Sequence, residues 1–148
     1  MNTQIIFLLE SLLLYGIFWY SIFVKGGIVK NNYKLGESDT RPWGQWEVTA
    51  VGTGNITKRI EVNPGEILSL QRHVHREELW VIKEGQGQIT LDGETINTVV
   101  GNEYRIPKQT WHRIQNIGDV RLVFVETQIG DILDEADIER KEDKYSRK

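Results

Sequence analysis

The sequence predicts an all-β domain, a sandwich or small barrel, and three observations point there. From Trp46 onward, short runs rich in Val, Ile and Thr alternate with turn signals about a dozen residues apart. Only two alanines, Ala50 and Ala136, stand against 14 glycines, which excludes a helical bundle. The 148 residues suit one domain, and beyond residue 24 about a third of the positions are hydrophobic, enough for a single core.

The first element is of another kind. Residues 5–24, IIFLLESLLLYGIFWYSIFV, form an apolar run long enough to span a bilayer as a helix. Glu10 at the centre of such a span would cost about 2.5–3.5 kcal/mol. Thirteen Leu, Ile, Phe and Val residues, at about −0.3 to −0.6 kcal/mol each, outweigh it. Lys25, Lys30 and Lys34 follow the run, so the positive-inside rule leaves the rest of the chain in the cytoplasm. No signal-peptide cleavage site follows. The competing reading is a mis-called start, although Met1 is the sole methionine. Residues 25–40 read as a polar linker, and residues 41–148 as the globular domain with a charged C-terminal tail.

Within that domain, WEVTAV ends at Gly52-Thr53-Gly54-Asn55 and TKRIEV at Asn63-Pro64-Gly65. LWVIKEG leads into QGQITL, and Asp92-Gly93 is a hairpin signal before TINTVV. YRIP, HRIQN and VRLVFVE complete eight or nine strands. After Gly130 the composition turns charged, which reads as a turn or short helix and a surface tail. The net charge of −3 argues against a nucleic-acid partner, and the absence of cysteine excludes disulfides, thiol catalysis and Cys-based zinc sites.

The three histidines carry the functional signal. His73 and His75 lie in the strand-like stretch SLQRHVHREELW, where alternation aims both at one face with Gln71 beside them. Glu78 follows three residues later, and His112 lies on another strand just past Ile106-Pro107. Imidazoles and a carboxylate converging on one point form a site for one divalent ion: zinc first, with Mn, Fe, Co and Ni as alternatives.

PGEILSLQRHVHREELW, Gly85 and RIPKQTWHRIQN together resemble the two motifs of the cupin barrel, a double-stranded β-helix or jelly roll. More narrowly they are similar to the cupin domain of type II mannose-6-phosphate isomerases, here without the guanylyltransferase domain often fused to it. Arg41-Pro42-Trp43-Gly44, Lys58-Arg59-Ile60 and the closing Gly130-Asp131, Glu135, Asp137-Ile138, Glu142-Asp143 and Tyr145-Ser146-Arg147 extend the resemblance over about residues 41–147. It implies His73, His75, Glu78 and His112 as metal ligands and Arg76 as a catalytic-site residue. The chain departs from the family pattern at Val74 and Leu79, where histidines are common, and at Gln109, where glycine is.

Aldose–ketose isomerisation needs a polarised oxygen, a base and a phosphate anchor. The metal supplies the first. Arginines suit the last, and Arg41 and Arg113 are the substrate-binding candidates, with Gln71 as a hydroxyl binder. Lys58 shares parity with Ile60 and Val62, which aims it into the barrel as a phosphate partner or proton shuttle. Neither Glu61 nor Glu77 has a clear claim as the base. Trp43, Trp46, Trp80 and Trp111 read as structural. The expected function is therefore a metal-dependent isomerase of mannose 6-phosphate and fructose 6-phosphate. The alternatives are a non-catalytic cupin binding a sugar or sugar phosphate, and a metal-dependent oxygenase. Exposed edge strands point to a homodimer.

Overall fold

Period-two burial runs through the strands of the barrel. In a computed structural model that describes residues 29–147, Trp46 and Val48, Ile60 and Val62, Trp80 and Ile82, and Leu122 and Phe124 all face inward with even parity. The strands are β1 (Lys30–Asn31), β2 (Ser38–Arg41), β3 (Gly44–Gly52), β4 (Asn55–Val62), β5 (Leu70–Arg72), β6 (Arg76–Glu84) and β7 (Gly87–Leu91). They continue as β8 (Glu94–Asn97), β9 (Glu103–Ile106), β10 (His112–Asn116), β11 (Leu122–Gly130), β12 (Ile132–Leu133) and β13 (Glu139–Glu142). No helix occurs among the described residues.

One sheet has the order β2-β3-β4-β11-β6-β9 and the other β13-β5-β10-β7-β8, while β1 pairs in parallel with β12. Both sheets feed one core. Trp80, Phe124, Ile82 and Ile60 come from the first, and Ile89 and Ile114 from the second. The Asp92-Gly93 hairpin is as read: both residues have positive φ (45° and 93°), the conformation a two-residue turn between twisted strands requires.

Polar and apolar side chains share the inner face of the larger sheet, and the buried charges begin one row beyond an all-apolar row. Ile60, Phe124 and Ile82 are in register across β4, β11 and β6. The next row along carries Lys58, Glu126 and Trp80, and the one after it Ile56, Gln128 and Glu78. One end of the barrel is thus sealed by hydrocarbon, while the other is lined with buried charge.

Three expectations need correction. The segment after Gly130 is not a short helix and a tail: β12 pairs with β1, and β13 adds an edge strand to the smaller sheet. It is held by backbone pairing and by ion pairs of its charged side chains rather than by an apolar face, so an apolar pattern was never required. Part of the 25–40 stretch is likewise built into the barrel, with β2 on β3 and Tyr33 buried against Trp46. The strand-like stretch SLQRHVHREELW breaks after Arg72 and resumes at Arg76. The membrane-helix reading of residues 5–24 lies outside the described residues. Among those described, no helix is long and apolar enough to cross a membrane.

Candidate functional site

The bend at residues 73–75 determines which side chains meet. Gln71 and His73 face inward on odd parity, and Arg76, Glu78 and Trp80 on even parity, so the chain changes phase between them. Asp137 holds the bend from the far end of the sequence. Its Oδ1 accepts from the Val74 amide and its Oδ2 from the His75 amide, both at 3.0 Å. Gly130 permits the close passage of β11, since a Cβ there would collide with the His75 carbonyl.

His73, Glu78 and His112 come together, with one ligand atom from each within 4.8 Å of the others. All three are essentially fully buried. His73 Nε2 lies 3.0 Å from Glu78 Oε1, and His112 Nε2 lies 3.4 Å from Oε2. Each ring's other nitrogen faces a backbone carbonyl: His73 Nδ1 is 2.6 Å from Asp137 O, and His112 Nδ1 is 2.8 Å from Thr110 O. A proton on Nδ1 therefore leaves both Nε2 lone pairs aimed inward, as imidazoles that ligate metals are oriented. His112 Nε2 is buried without a well-formed hydrogen bond. Two imidazole nitrogens and one carboxylate converging here, with His112 Nε2 left unpartnered, fit a first-row divalent cation.

His75 does not join them. The bend turns it out, and its half-exposed ring lies 3.9 Å from Asp131. Simple alternation placed it beside His73, and alternation fails where the strand stops. Arg113 is also corrected. It follows His112 on a regular strand, so it points away from the barrel and pairs with Glu142 at 3.0 Å. Gln71, in register with His112, lies on the cavity side and accepts a hydrogen bond from Ser69 Oγ. Val74 and Leu79, two of the departures from the family pattern, do not line the cavity.

That cavity, about 500 Å³ with its mouth included, opens beside the cluster. Arg41, Lys58, Arg76, Arg140 and Arg147 line it against Glu78, Glu126 and Glu135, with Trp43 and Trp46 in its apolar wall. Arg76 is buried. It donates to Glu78 Oε1 at 3.2 Å and to the Asp134 carbonyl at 2.9 Å. Trp80 Nε1 donates to Glu78 Oε2, so both carboxylate oxygens are fixed. Burial works against the charge of Glu78, but the two imidazoles hold its carboxyl well below the usual range. Lys58 Nζ is 2.8 Å from Glu135 Oε1 and sits over the Tyr33 and Trp46 rings, at 4.0 and 4.3 Å. Despite burial, Lys58 and the Tyr33 hydroxyl hold the Glu135 carboxyl down to about 2.

A family model described as "Mannose-6-phosphate isomerase C-terminal" matches residues 29–143. The chain belongs to that family. It is 39% identical over 127 residues to the "Alginate biosynthesis protein AlgA" of Pseudomonas aeruginosa, covering 81% of this chain and 26% of that protein. It is 38% identical over 107 residues to the "Mannose-1-phosphate guanylyltransferase ManC" of Salmonella typhimurium, covering 72% and 22%. The chain thus spans about a quarter of the length of these curated relatives. Solved structures share the fold. The capsular polysaccharide assembling protein CapF of Staphylococcus aureus gives a TM-score of 0.63 at 21% identity, covering 76% of this chain and 34% of that one. The Schizosaccharomyces pombe Cnp3 cupin domain gives 0.56 at 16%, covering 59% and 64%.

In this mannose-6-phosphate isomerase C-terminal domain, sequence reasoning missed Glu126 and Gln128. Both are buried on β11 and share parity with Leu122 and Phe124; the segment VRLVFVE already contained Glu126, and Gln128 lies two residues beyond it. Gln128 Nε2 donates to Glu126 Oε1 at 2.6 Å, and Gln128 Oε1 is buried without a partner. Burial and the nearby charge of Glu78 push the Glu126 carboxyl up to about 7, against the pull of Lys58 and Arg76. Arg140 and Arg147 were missed as cavity residues because the segment carrying them read as a tail.

Proposed function

We propose that this domain interconverts mannose 6-phosphate and fructose 6-phosphate. The observation that carries the reading is the lining of the cavity beside the His73–Glu78–His112 cluster: five cations against three carboxylates, in a chain whose net charge is −3. Such a lining attracts an anionic ligand into a predominantly acidic protein. A divalent ion held by His73, Glu78 and His112 would supply Lewis-acid polarisation of a sugar oxygen.

The remaining chemistry is proton movement between neighbouring carbons, and it falls to the chain's own groups. Glu126 is the carboxylate suited to it. Glu78 belongs to the cluster, and Glu135 is taken by Lys58 and Tyr33. Glu126 accepts from Gln128 and forms no ion pair among the described residues. In the aldose-to-ketose direction Glu126 takes the proton from C2 and returns it to C1, while a hydroxyl proton passes from O2 to O1. No proton is gained or lost overall. A carboxyl raised to about 7 both takes and returns a proton near neutrality. Lys58, opposite Glu126 on the adjacent strand, steadies negative charge on the sugar oxygens. Gln71 and the unpaired Oε1 of Gln128 serve the sugar hydroxyls. Arg76 keeps Glu78 in place.

The test uses the full chain loaded in turn with Zn, Mn, Co or Ni, incubated with mannose 6-phosphate and assayed for fructose 6-phosphate. Metal-dependent turnover that His73→Ala removes is the expected result. Glu126→Gln should lower kcat about 10²- to 10⁴-fold with metal content unchanged. No turnover with any metal, from folded and loaded protein, overturns the isomerase. Sugar-phosphate binding without turnover would make the domain a non-catalytic binding module.

A further inference from the structure

The C-terminal segment turns two arginines toward the cavity. β13 sets Arg140 opposite Gln71, and Gln71 lies opposite His112. Residues directly opposed on antiparallel strands share a face, so Arg140, Gln71 and His112 make one row across the inner wall. Two strand spacings put the Arg140 backbone about 10 Å from that of His112. Arg147 is held by Asp143, its Nε 2.9 Å and its Nη2 2.8 Å from the two carboxylate oxygens. Arg41, from the opposite end of the domain, is held by Asp39 at 2.9 Å. All three arginines line the same cavity.

Arg140 differs from the other two. It forms no ion pair or side-chain hydrogen bond among the described residues, and its Nε is buried without a partner. Burial, then the like charges of Arg147 and Arg41, loosen its proton despite the pull of Glu135 and Asp143. A buried donor with no acceptor is destabilising, and gathered guanidinium groups add repulsion. One tetrahedral dianion relieves both, because its oxygens accept from several guanidinium forks at once.

We propose that Arg140, Arg147 and Arg41 form the cradle for the phosphate group of a sugar phosphate. The inference rests on the isomerase reading for the identity of the sugar, whose carbon chain would run from the cradle along Gln71 toward the His73–Glu78–His112 cluster. Arg113, the arginine that the sequence singled out beside Arg41, faces away from this cavity and takes no part. The outer face of the same segment acts as its fastening. Glu139 pairs with Arg72, Glu142 with Arg113, and Lys144 with Glu66.

The cradle is tested apart from turnover by titrating the full-length, metal-loaded protein with inorganic phosphate in a calorimeter. Arg140→Gln and Arg147→Gln should each weaken phosphate binding about tenfold or more, and Arg105→Gln, at an exposed residue outside the cavity that pairs with Glu77, should leave it unchanged. Arg140→Lys keeps the charge and the stem but loses the fork. It should show an intermediate loss, so the outcome does not depend on the glutamine variant folding. Mannose 6-phosphate should compete with inorganic phosphate, and mannose should not. Phosphate binding by Arg140→Gln and Arg147→Gln within twofold of the parent overturns the cradle, even if the protein proves to be an isomerase. Phosphate binding that both substitutions abolish supports the cradle, even if no turnover is found.

Discussion

His73 and His112 present the same ring nitrogen to the same carboxylate, yet they are held by different kinds of structure. His112 opens β10, which pairs with β7 over five consecutive residues, and its Nδ1 meets a carbonyl only two residues back. His73 lies beyond the end of a three-residue strand, in a bend, and its Nδ1 meets the carbonyl of Asp137, 64 residues away. One ligand is placed by its own neighbourhood. The other depends on the C-terminal segment, which also receives Arg76 at the Asp134 carbonyl and carries Arg140 and Arg147. Metal affinity and the integrity of that segment should therefore be coupled on the His73 side and independent on the His112 side.

The sharpest way to break this comparison is Asp137→Ala. The substitution removes the carboxylate that caps the Val74 and His75 amides, and with it the anchor that holds the Asp137 backbone carbonyl against His73. Loss of such an outer contact typically lowers metal affinity about 10- to 100-fold. Thr110→Ala keeps the carbonyl that His112 uses and should stay within twofold of the parent. Competition of each variant with a chelator for zinc measures both. Equal affinities for Asp137→Ala and the parent would show that the bend holds His73 without help.

The same contrast explains what the sequence made legible. His112, Lys58, Trp80 and the Asp92-Gly93 hairpin lie in regular strands or a tight turn, where parity and local chemistry suffice. Glu126 and Gln128 were readable by the same rule, as polar residues on the inward face of an otherwise apolar strand. His75 was misplaced because the phase change at residues 73–75 is set by Asp137, far along the chain. One clue was nevertheless local: His73 and Glu78 differ in parity, so an unbroken strand could not aim both at one point. Arg140 left no local trace, since a charged edge strand that pairs through its backbone looks like a tail, and Arg147 entered only as part of the closing motif Tyr145-Ser146-Arg147.

Acid should weaken the C-terminal side first. Glu135 has a folded-state pKa of about 2, below its ordinary 4.5, because Lys58 and Tyr33 outweigh the cost of burial. A depressed carboxylate stabilises the fold above its unfolded pKa, and that contribution is lost as pH falls from about 4.5 toward 2. The Glu135 side chain is 40% exposed, so water screens the pair and its contribution is about 1 kcal/mol. Glu135→Gln should be less stable than the parent by about that amount at pH 7 and nearly equal to it at pH 2. Denaturant melts at the two pH values measure the gap. A gap that does not narrow in acid would sink the assignment.

The smallest expected effect is the most local. Gln109 has φ of +64°, in the region where a side chain crowds its own backbone, at the position where the resemblance drawn from the sequence implies glycine. Its amide donates to the His73 carbonyl at 2.7 Å, and it lies three residues before His112, so this turn touches both ligands. A left-handed conformation costs a residue other than glycine about 1–2 kcal/mol. Glycine removes that cost but gives the unfolded chain about 0.5–1 kcal/mol of extra freedom. The balance predicts that Gln109→Gly stabilises the fold by about 0.5 kcal/mol, a shift of a few degrees in Tm, with zinc affinity unchanged. If affinity rises together with Tm, strain in the turn is being transmitted to His73 or His112, and their placement is less separate than the hydrogen bonds indicate. If Tm falls, the Gln109 side chain makes a contribution that outweighs its backbone strain.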